Sequence, residues 1–450
     1  MKEKEQRQSF AHTGASVDDH TDDQRLDQLQ RATFQYFLKE SNPENGLVAD
    51  NTRRGAPASI TAVGLALAAY PVGVERGYLT RQEAIQRTLI TLRFFAESPH
   101  STAPDAVGHR GFYYHFLDMK TGARVWESEL STIDTTFLLA GALAAATYFD
   151  GDAADERTIR ELAEALYQRA DWSWMQDSDG LVCHGWRPEK GFIPYRWEGY
   201  SEALLLYVLA LASPTHPLPA ESYQTWLATY AWKEIYGHEF VYAGPLFIHQ
   251  LSHVWIDFRG LQDAFMHAKG IDYFENSRRA TYVQQAYAIR NPLNFKGYGA
   301  HIWGVTASAG PGPATHYVEG VERHFHGYLA RGAPYGPDDG TISPWGAIAS
   351  LPFAPELVLP LIHALDEQYP AVTSKYGFKC SFNPTFVAEN GDSDDSGWIS
   401  EGYYGLDQGP IVLMIENYRS GLFWQLMRSC PYLRTGLQRA GFTGGWLQAR

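Results

Sequence analysis

The chain alternates between segments with helical periodicity and irregular segments rich in glycine, proline and aromatic residues. Apolar residues recur at helical spacing in about a dozen segments. We expect helices over residues 26–37, 60–70, 81–95, 133–149, 156–170, 202–211, 222–230, 261–266, 274–289, 355–365, 410–427 and 432–440. Strand-like alternation is limited to short stretches such as 111–116 and 181–184, which predict hairpins within loops.

The predicted helices differ in kind. Residues 60–70, 133–147 and 202–211 are apolar nearly all round, as a helix that is buried on every side requires. Residues 81–95 and 156–170 carry charges on one face, as an outer helix would. Alternation of inner and outer helices predicts an all-α fold, an (α/α)6 toroid with long aromatic-rich loops and a few short hairpins.

The interior of the chain contains no linker, so we expect one domain over residues 25–450. Residues 1–24 are polar and charged, and they predict a disordered tail or the remainder of a replaced signal sequence. No run approaches the roughly 20 apolar residues that cross a bilayer, so no membrane partner is expected. The missing apolar leader predicts a cytoplasmic location, and a periplasmic one stays open if a signal was trimmed.

The composition of the chain limits the classes of molecule that it is expected to bind. The formal net charge of −14 argues against a nucleic-acid surface, which needs clustered Lys and Arg. Aromatic residues make up 14% of the chain, and many lie in irregular segments where their faces suit sugar rings, although a large core also uses aromatic residues. The three cysteines Cys183, Cys380 and Cys430 show no CxxC spacing, so neither a disulfide framework nor a thiolate metal site is predicted.

Three acids stand in equivalent places. Glu202, Asp134 and Asp407 each lie in or just before the first turn of an apolar helix and beside aromatic loops. Inner helices of a toroid share one orientation, so their N-terminal ends would bring these acids to one face. Glycoside hydrolysis uses one carboxylic acid and a second carboxylate. Each acid alone could simply cap its helix or interact with the helix dipole. Because all three stand in equivalent places, we predict that they are the catalytic residues of a carbohydrate site.

Seven longer motifs carry a resemblance to a known family. They are 196–203 (RWEGYSEA), 211–217 (LASPTHP), 249–260 (HQLSHVWIDFRG), 273–277 (YFENS), 303–308 (WGVTAS), 405–410 (GLDQGP) and 414–418 (MIENY). These motifs, spread between Leu26 and Phe442, resemble the glycoamylase-like domain family. That family includes the bacterial endo-β-1,2-glucanases of glycoside hydrolase family 144 and a domain of cyclic β-1,2-glucan synthases.

The resemblance implies an (α/α)6 fold and action on β-1,2-glucans, commonly with inversion and without a metal or cofactor. By position, Glu202 matches the general acid of the family, and Asp407 matches an acidic residue that we interpret as the base. Two positions depart from the pattern. Ala309 stands where members often carry Asp, and Ser131 stands where many carry an acid three residues before the position of Asp134.

Further side chains are expected to bind substrate. The predicted residues are Trp197, Tyr200, His253, Trp255, Asp257, Arg259, Trp303, Glu127 and Gln408. Asp257 and Arg259 could equally form a structural pair, and Glu127 with Glu129 could be solvated charge before the Asp134 helix. His249 and His253 have metal-ligand spacing with Asp257 as the one further ligand, and hydrogen bonding is the interpretation that we prefer.

Two other acidic features are interpreted structurally. Glu416 lies well inside an apolar helix, so we expect it to pair with an arginine. The acidic segment 389–397 lacks the terminal glutamate of a calcium loop, and it predicts a mobile loop at the active site.

The sequence supports three competing hypotheses for the function. The first is a hydrolase of β-1,2-glucan, either an endo-glucanase or an exo enzyme that releases sophorose, with a glucan as its partner. The second is a β-1,2-glucan transglycosylase, or an enzyme for another glucan linkage given Ala309 and Ser131. The third is a sugar-binding toroid without activity. The mode of attack, the anomeric outcome and the oligomeric state are left open by the sequence.

Overall fold

The structure, a computed structural model, describes residues 17–387 and 396–448, and this part of the chain is mainly helical. Its α-helices are α1 (Val17–Lys39), α2 (Ile60–Glu75), α3 (Arg81–Glu97), α4 (Thr132–Tyr148), α5 (Ala154–Arg169), α6 (Ala203–Ala212), α7 (Ala220–Leu227), α8 (Leu251–Trp255), α9 (Ala264–Lys269), α10 (Tyr273–Arg290), α11 (Pro344–Ile348), α12 (Pro355–Gln368), α13 (Gly405–Arg419), α14 (Leu422–Arg428) and α15 (Pro431–Arg439).

The strands are short and belong to the connecting loops. They are β1 (Ala58–Ser59), β2 (Gly108–His109), β3 (Phe112–Tyr113), β4 (Phe116–Leu117), β5 (Leu130–Ser131), β6 (Gly185–Arg187), β7 (Gly191–Phe192), β8 (Trp232–Ile235), β9 (His238–Val241), β10 (Leu261–Gln262), β11 (Ala307–Ser308), β12 (Ala314–Val318), β13 (Val321–Phe325), β14 (Leu329–Ala330), β15 (Thr373–Ser374), β16 (Gly377–Phe378), β17 (Phe382–Asn383), β18 (Trp398–Ile399) and β19 (Thr443–Gly444). They pair antiparallel, as in β1–β4, β5–β6–β7, β8–β9 and β12–β13.

The central helices form a sequence of neighbours. Helix α11 packs against α13, α13 against α2, α2 against α4, α4 against α6, and α6 against α8. Every residue of α6 is buried, and so are residues 60–73 of α2, as their all-round apolar pattern predicts. Helices α3 and α5 bury one face each and pack against α2 and α4 from outside, so the predicted division into two kinds of helix is confirmed for these segments.

Helices α2 and α4 touch through their backbones. A side chain on Gly64 would collide with the carbonyl oxygen of Phe137, and one on Gly141 would collide with the carbonyl oxygen of Gly64. Glycine is therefore required at both positions, because only a residue without a Cβ lets the two helices approach this closely.

Several predicted boundaries were wrong. The helix expected over 410–427 is two helices, because Ser420 leaves helical geometry and Gly421 adopts a φ of 68° between α13 and α14. The helix expected over 261–266 is strand β10 followed by α9, which starts after the N-cap Asp263. Residues 181–184 pair only as isolated bridges, Val182 with Gln176 and Cys183 with Arg196.

Residues 17–24, which we predicted to belong to a disordered tail, lie in a helix. They form the start of α1, which begins at Val17. Two acidic residues of this segment have partners: Asp23 pairs with Arg419, and Asp22 lies 2.6 Å from His363. Most of the acidic segment 389–397 lies outside the described residues. None of the described helices has the length and apolar character needed to cross a membrane.

The buried Glu416 has the arginine partner that the sequence predicts. Arg76 donates to both of its carboxylate oxygens, at 2.8 Å from Nε and 2.9 Å from Nη2. Gln30 and Ser420 donate two further hydrogen bonds, so the buried charge is fully paired.

Candidate active site

The N-terminal ends of six helices line one cavity of about 440 Å³. This volume is in the range of small-molecule sites. The lining residues are Asp50, Asn51, Ser59, Thr61, His115, Phe116, Ile133, Asp134, Phe137, Glu202, Phe247, Leu251, Ala307, Tyr328, Trp345, Tyr404, Leu406 and Asp407. The three acids predicted to be catalytic are therefore brought together, because α4, α6 and α13 all start at this cavity.

Glu202 is the N-cap residue of α6, and its carboxyl group faces the cavity. Burial raises the pKa of Glu202 to about 7, and the negative charge of Asp134 adds to the shift. Its carbonyl oxygen accepts a hydrogen bond from Ser252, which ties the start of α6 to α8. A carboxyl group with this pKa keeps its proton in about half of the molecules at pH 7, and a general acid needs that proton.

Asp134 lies in the first turn of α4 and is surrounded by donors. Thr61 and Ser131 each donate a hydroxyl hydrogen bond to its carboxylate, and His115 Nε2 lies 3.5 Å from its Oδ1. Ser131 also accepts from the backbone N–H of Asp134, so the residue that stands in place of a family acid is both the helix cap and a carboxylate donor.

Asp407 lies in the first turn of α13 and is almost completely buried. Burial raises its pKa well above the usual value for aspartate, and the charge of Asp50 raises it further, against a hydrogen bond from the Cys380 thiol. Its Oδ2 is buried and has no hydrogen-bond partner among the described residues. Burial therefore favours the protonated form of Asp407, and its deprotonated form is a stronger base than an exposed aspartate.

Asp50 and His115 are cavity residues that the sequence did not reveal. Asp50 comes from an irregular loop and His115 from the short connection between β3 and β4, so neither stands at the start of an apolar helix. The backbone N–H of Gly405 donates to the carbonyl oxygen of Asp50 at 2.8 Å, which places Asp50 beside the start of α13. Burial raises the pKa of Asp50, against a hydrogen bond from Asn51.

His115 is the cation of the cavity. Its Nδ1 lies 3.1 Å from Glu129 Oε1, and its Nε2 faces Asp134. Burial lowers the pKa of His115, but the two carboxylates outweigh burial and raise it to about 9. His115 therefore carries a positive charge at neutral pH and balances part of the acidic cavity wall.

The His115, Glu129 and Asp134 group also has the spacing of a metal site, with ligand atoms within 4.8 Å of one another. A metal at this position would have to displace the proton of the His115 ring, whose pKa the two carboxylates raise to about 9. The predicted His249 and His253 pair has separate partners. His249 Nε2 lies 3.2 Å from the Ala243 carbonyl oxygen, and His253 Nε2 lies 2.9 Å from Ser277 Oγ.

The aromatic residues predicted to bind substrate do not line the cavity and pack in the core. Trp197 donates to Thr132 Oγ1 at 3.0 Å and stacks on His184, and Tyr200 stacks on Tyr273. Trp255 and Trp303 are also fully buried. The aromatic residues that line the cavity are instead Phe116, Phe137, Phe247, Tyr328, Trp345 and Tyr404.

The polar residues predicted to bind substrate are also elsewhere. Asp257 and Arg259 form the structural pair that was the alternative, at 2.8 Å, with Arg428 as a second partner, beyond the C-terminal end of α8. His253 is buried, and burial lowers its pKa to about 3. Gln408 is buried in α13, and Glu127 lies exposed in a turn.

The chain is similar to a known protein family and to a curated enzyme. Residues 194–431 match the family model described as "Glycoamylase: Putative glucoamylase". A curated exo β-1,2-glucooligosaccharide sophorohydrolase (non-reducing end) of Parabacteroides distasonis is 29% identical over 455 aligned residues, which cover 93% of this chain. The chain spans 58% of the length of that relative.

Solved structures match over nearly the whole chain. A crystal structure titled as a putative glucoamylase from Bacteroides uniformis is 32% identical, with a TM-score of 0.83, and the match covers 95% of this chain and 99% of that one. An endo-β-1,2-glucanase from Chitinophaga pinensis, solved with sophorotriose and glucose, is 28% identical, with a TM-score of 0.81 and coverage of 94% and 98%.

Proposed function

This chain belongs to the Glycoamylase family, and from that premise we propose that it is a glycoside hydrolase that cleaves β-1,2-glucans. The relatives named as a sophorohydrolase and as an endo-β-1,2-glucanase support the substrate class. The observation that carries the proposal is Glu202, a carboxyl group of pKa about 7 in a cavity that also holds Asp134 and Asp407. One proton donor and a second carboxylate are the minimum that glycoside hydrolysis needs.

Glu202 acts as the general acid. Its carboxyl proton passes to the glycosidic oxygen while the bond from that oxygen to the anomeric carbon breaks. Asp134 supports this step, because its negative charge helps to raise the pKa of Glu202. Donors from Thr61 and Ser131 hold the Asp134 carboxylate in place while it does so.

Asp407 acts as the general base. It removes one proton from a water molecule whose oxygen bonds to the anomeric carbon, so the proton that Glu202 gives up is matched by the proton that Asp407 takes. The raised pKa of Asp407 makes it a stronger base, and its Oδ2 has no partner among the described residues. With water attacking opposite the leaving group, the reaction inverts the anomeric configuration.

The fold that we propose for this enzyme is an (α/α)6 toroid that forms one catalytic domain, which includes α1 from Val17 onward. Its inner ring would be α2, α4, α6, α8, α11 and α13, the helices whose N-terminal ends line the cavity. Shared orientation of these helices explains why three acids that are far apart in sequence meet. Their helix dipoles place positive potential at the cavity.

Incubation with linear β-1,2-glucan tests the proposal, with products followed by size. We expect the native protein to release short glucans, and Glu202→Gln to release them at least about 100-fold more slowly. Longer or cyclic products would show glycosyl transfer in place of hydrolysis. Products from another glucan, with none from β-1,2-glucan, would overturn the linkage. Binding of β-1,2-glucan without any turnover would overturn the enzyme assignment.

A further inference from the structure

A tight turn beside the cavity carries a tryptophan in an unusual conformation. The backbone N–H of Ser128 donates to the carbonyl oxygen of Val125 at 3.1 Å, and the two central residues between them are Trp126 and Glu127. Their φ values are 59° and 48°. Turns with two positive φ angles usually contain Asn and Gly, because side chains are strained there. A sequence that needed only the turn would use those residues.

The surroundings hold this turn firmly. Arg124 donates from Nε to the carbonyl oxygen of Ser128, and its guanidinium binds both carboxylate oxygens of Glu189. The backbone N–H of Val125 donates to the carbonyl oxygen of Phe116. Strained backbone persists where neighbouring contacts fix it, and such positions cluster at ligand sites.

The result of this arrangement is an exposed indole next to the cavity wall. Trp126 is 68% exposed, and its ring centroid lies 5.1 Å from that of Phe116. Phe116 in turn stacks on His115 at 3.8 Å, and both Phe116 and His115 line the cavity. An aromatic path therefore runs from the cavity to the surface and ends at Trp126.

We propose that Trp126 is a binding platform on which a glucosyl residue of the substrate chain stacks after the chain leaves the cavity past Phe116. This inference rests on the proposed function and adds a subsite to it. Aromatic rings bind the C–H face of a pyranose, and an indole offers the largest such face among side chains. A solvent-exposed platform contacts only those glucans that are long enough to reach it.

The test is the dependence of kinetics on chain length. kcat and KM are measured for linear β-1,2-gluco-oligosaccharides of increasing length, with native protein, Trp126→Gly and Trp126→Phe. Glycine fits the positive φ without strain, so this variant removes the ring and leaves the turn intact. We expect unchanged kinetics on the shortest substrates and a KM about three- to tenfold higher on long ones, with kcat preserved. Trp126→Phe should retain most of the native affinity.

Tyr335→Ala is the matched control. Tyr335 is 66% exposed and packs on Tyr242, and neither residue lines the cavity. Its substitution should leave the length profile unchanged. An equal effect of Trp126→Gly at every length, or no effect at any length, would overturn the platform.

The failure of the proposed function is distinguishable from the failure of the platform. If the native protein hydrolyses no β-1,2-glucan, calorimetric titration with a long β-1,2-glucan still tests Trp126. Weaker binding by Trp126→Gly than by native protein would support the platform, and equal binding or none would overturn it.

Discussion

Thr61 on α2 donates a hydrogen bond to Asp134 on α4, so the first turns of two neighbouring helices meet at one carboxylate. The same carboxylate accepts from Ser131 and faces His115. Asp134 is thus fixed by groups from three parts of the chain. A charge in a fixed position can hold the pKa of a neighbouring acid steady, and Glu202 is the acid that it influences.

Glu202→Gln should lower kcat by about 10²–10⁴-fold, because the glutamine amide cannot donate the proton that the leaving oxygen needs. In the native protein kcat/KM should fall as the pH rises above about 7, where Glu202 loses that proton. A pH series on β-1,2-glucan measures both effects. Glu198→Gln is the control, since Glu198 is an exposed neighbour in the sequence. Equal activity of Glu202→Gln and native protein would exclude this role.

Asp134→Asn should move the alkaline limit of kcat/KM to lower pH. The substitution removes the negative charge that helps to raise the pKa of Glu202, so the acid loses its proton earlier. Thr61→Val is the matched variant, because it deletes a hydrogen bond to Asp134 and keeps the charge. Its alkaline limit should stay near that of native protein. A common shift in both variants would show that the hydrogen bond, not the charge, controls Glu202.

Asp407→Asn should lower kcat by about 10²-fold or more and raise the melting temperature at neutral pH. Burial raises the folded-state pKa of Asp407 above its unfolded value of about 3.9. The unfolded chain therefore gives up this proton first, and the stability of native protein decreases as the pH rises from about 4 through the folded-state pKa. Asparagine avoids that loss.

The pH dependence of the melting temperature checks this sign. The difference between Asp407→Asn and native protein should vanish below about pH 4, where the carboxyl group is protonated in both states. A variant that melts at a lower temperature than native protein at neutral pH would contradict the prediction.

Arg76→Ala should lower the free energy of unfolding by about 3–5 kcal/mol, because it leaves the buried charge of Glu416 without its partner. Urea denaturation measures the loss. The double variant Arg76→Ala/Glu416→Gln should recover much of it, since no unpaired charge remains. Lys375→Ala, which breaks an exposed pair with Glu40, should cost less than about 1 kcal/mol. Equal losses in both single variants would contradict the argument.

The long helices could be predicted from sequence, because a helix that buries one face or all faces leaves a periodic pattern. Helices α8 and α11 were missed, since five residues are too few to show a period. The hairpins β8–β9 and β12–β13 were also missed, although each turns at a residue followed by glycine, Tyr236-Gly237 and Glu319-Gly320, with both φ values positive.

Some residues of the candidate site could also be predicted from sequence, and others could not. Glu202, Asp134 and Asp407 could be found because each stands at the start of an apolar helix, which sequence shows directly. Asp50 and His115 stand in loops, and only the folded chain brings them to the cavity. Trp197 and Trp255 were assigned to substrate because the sequence does not separate an aromatic residue of the core from one of the cleft.

Gly64 and Gly141 set the spacing of α2 and α4, the two helices that start side by side at the cavity. Their backbone contact holds α2 and α4 closer together than residues with a Cβ would allow, and Thr61 and Asp134 lie at the cavity ends of these two helices. A larger residue at either glycine would push the two helices apart and lengthen the hydrogen bond between Thr61 and Asp134. Substitutions at the cavity ends of α2 and α4 would change what the cavity binds, while the contact between the two glycines would keep the spacing of the helices.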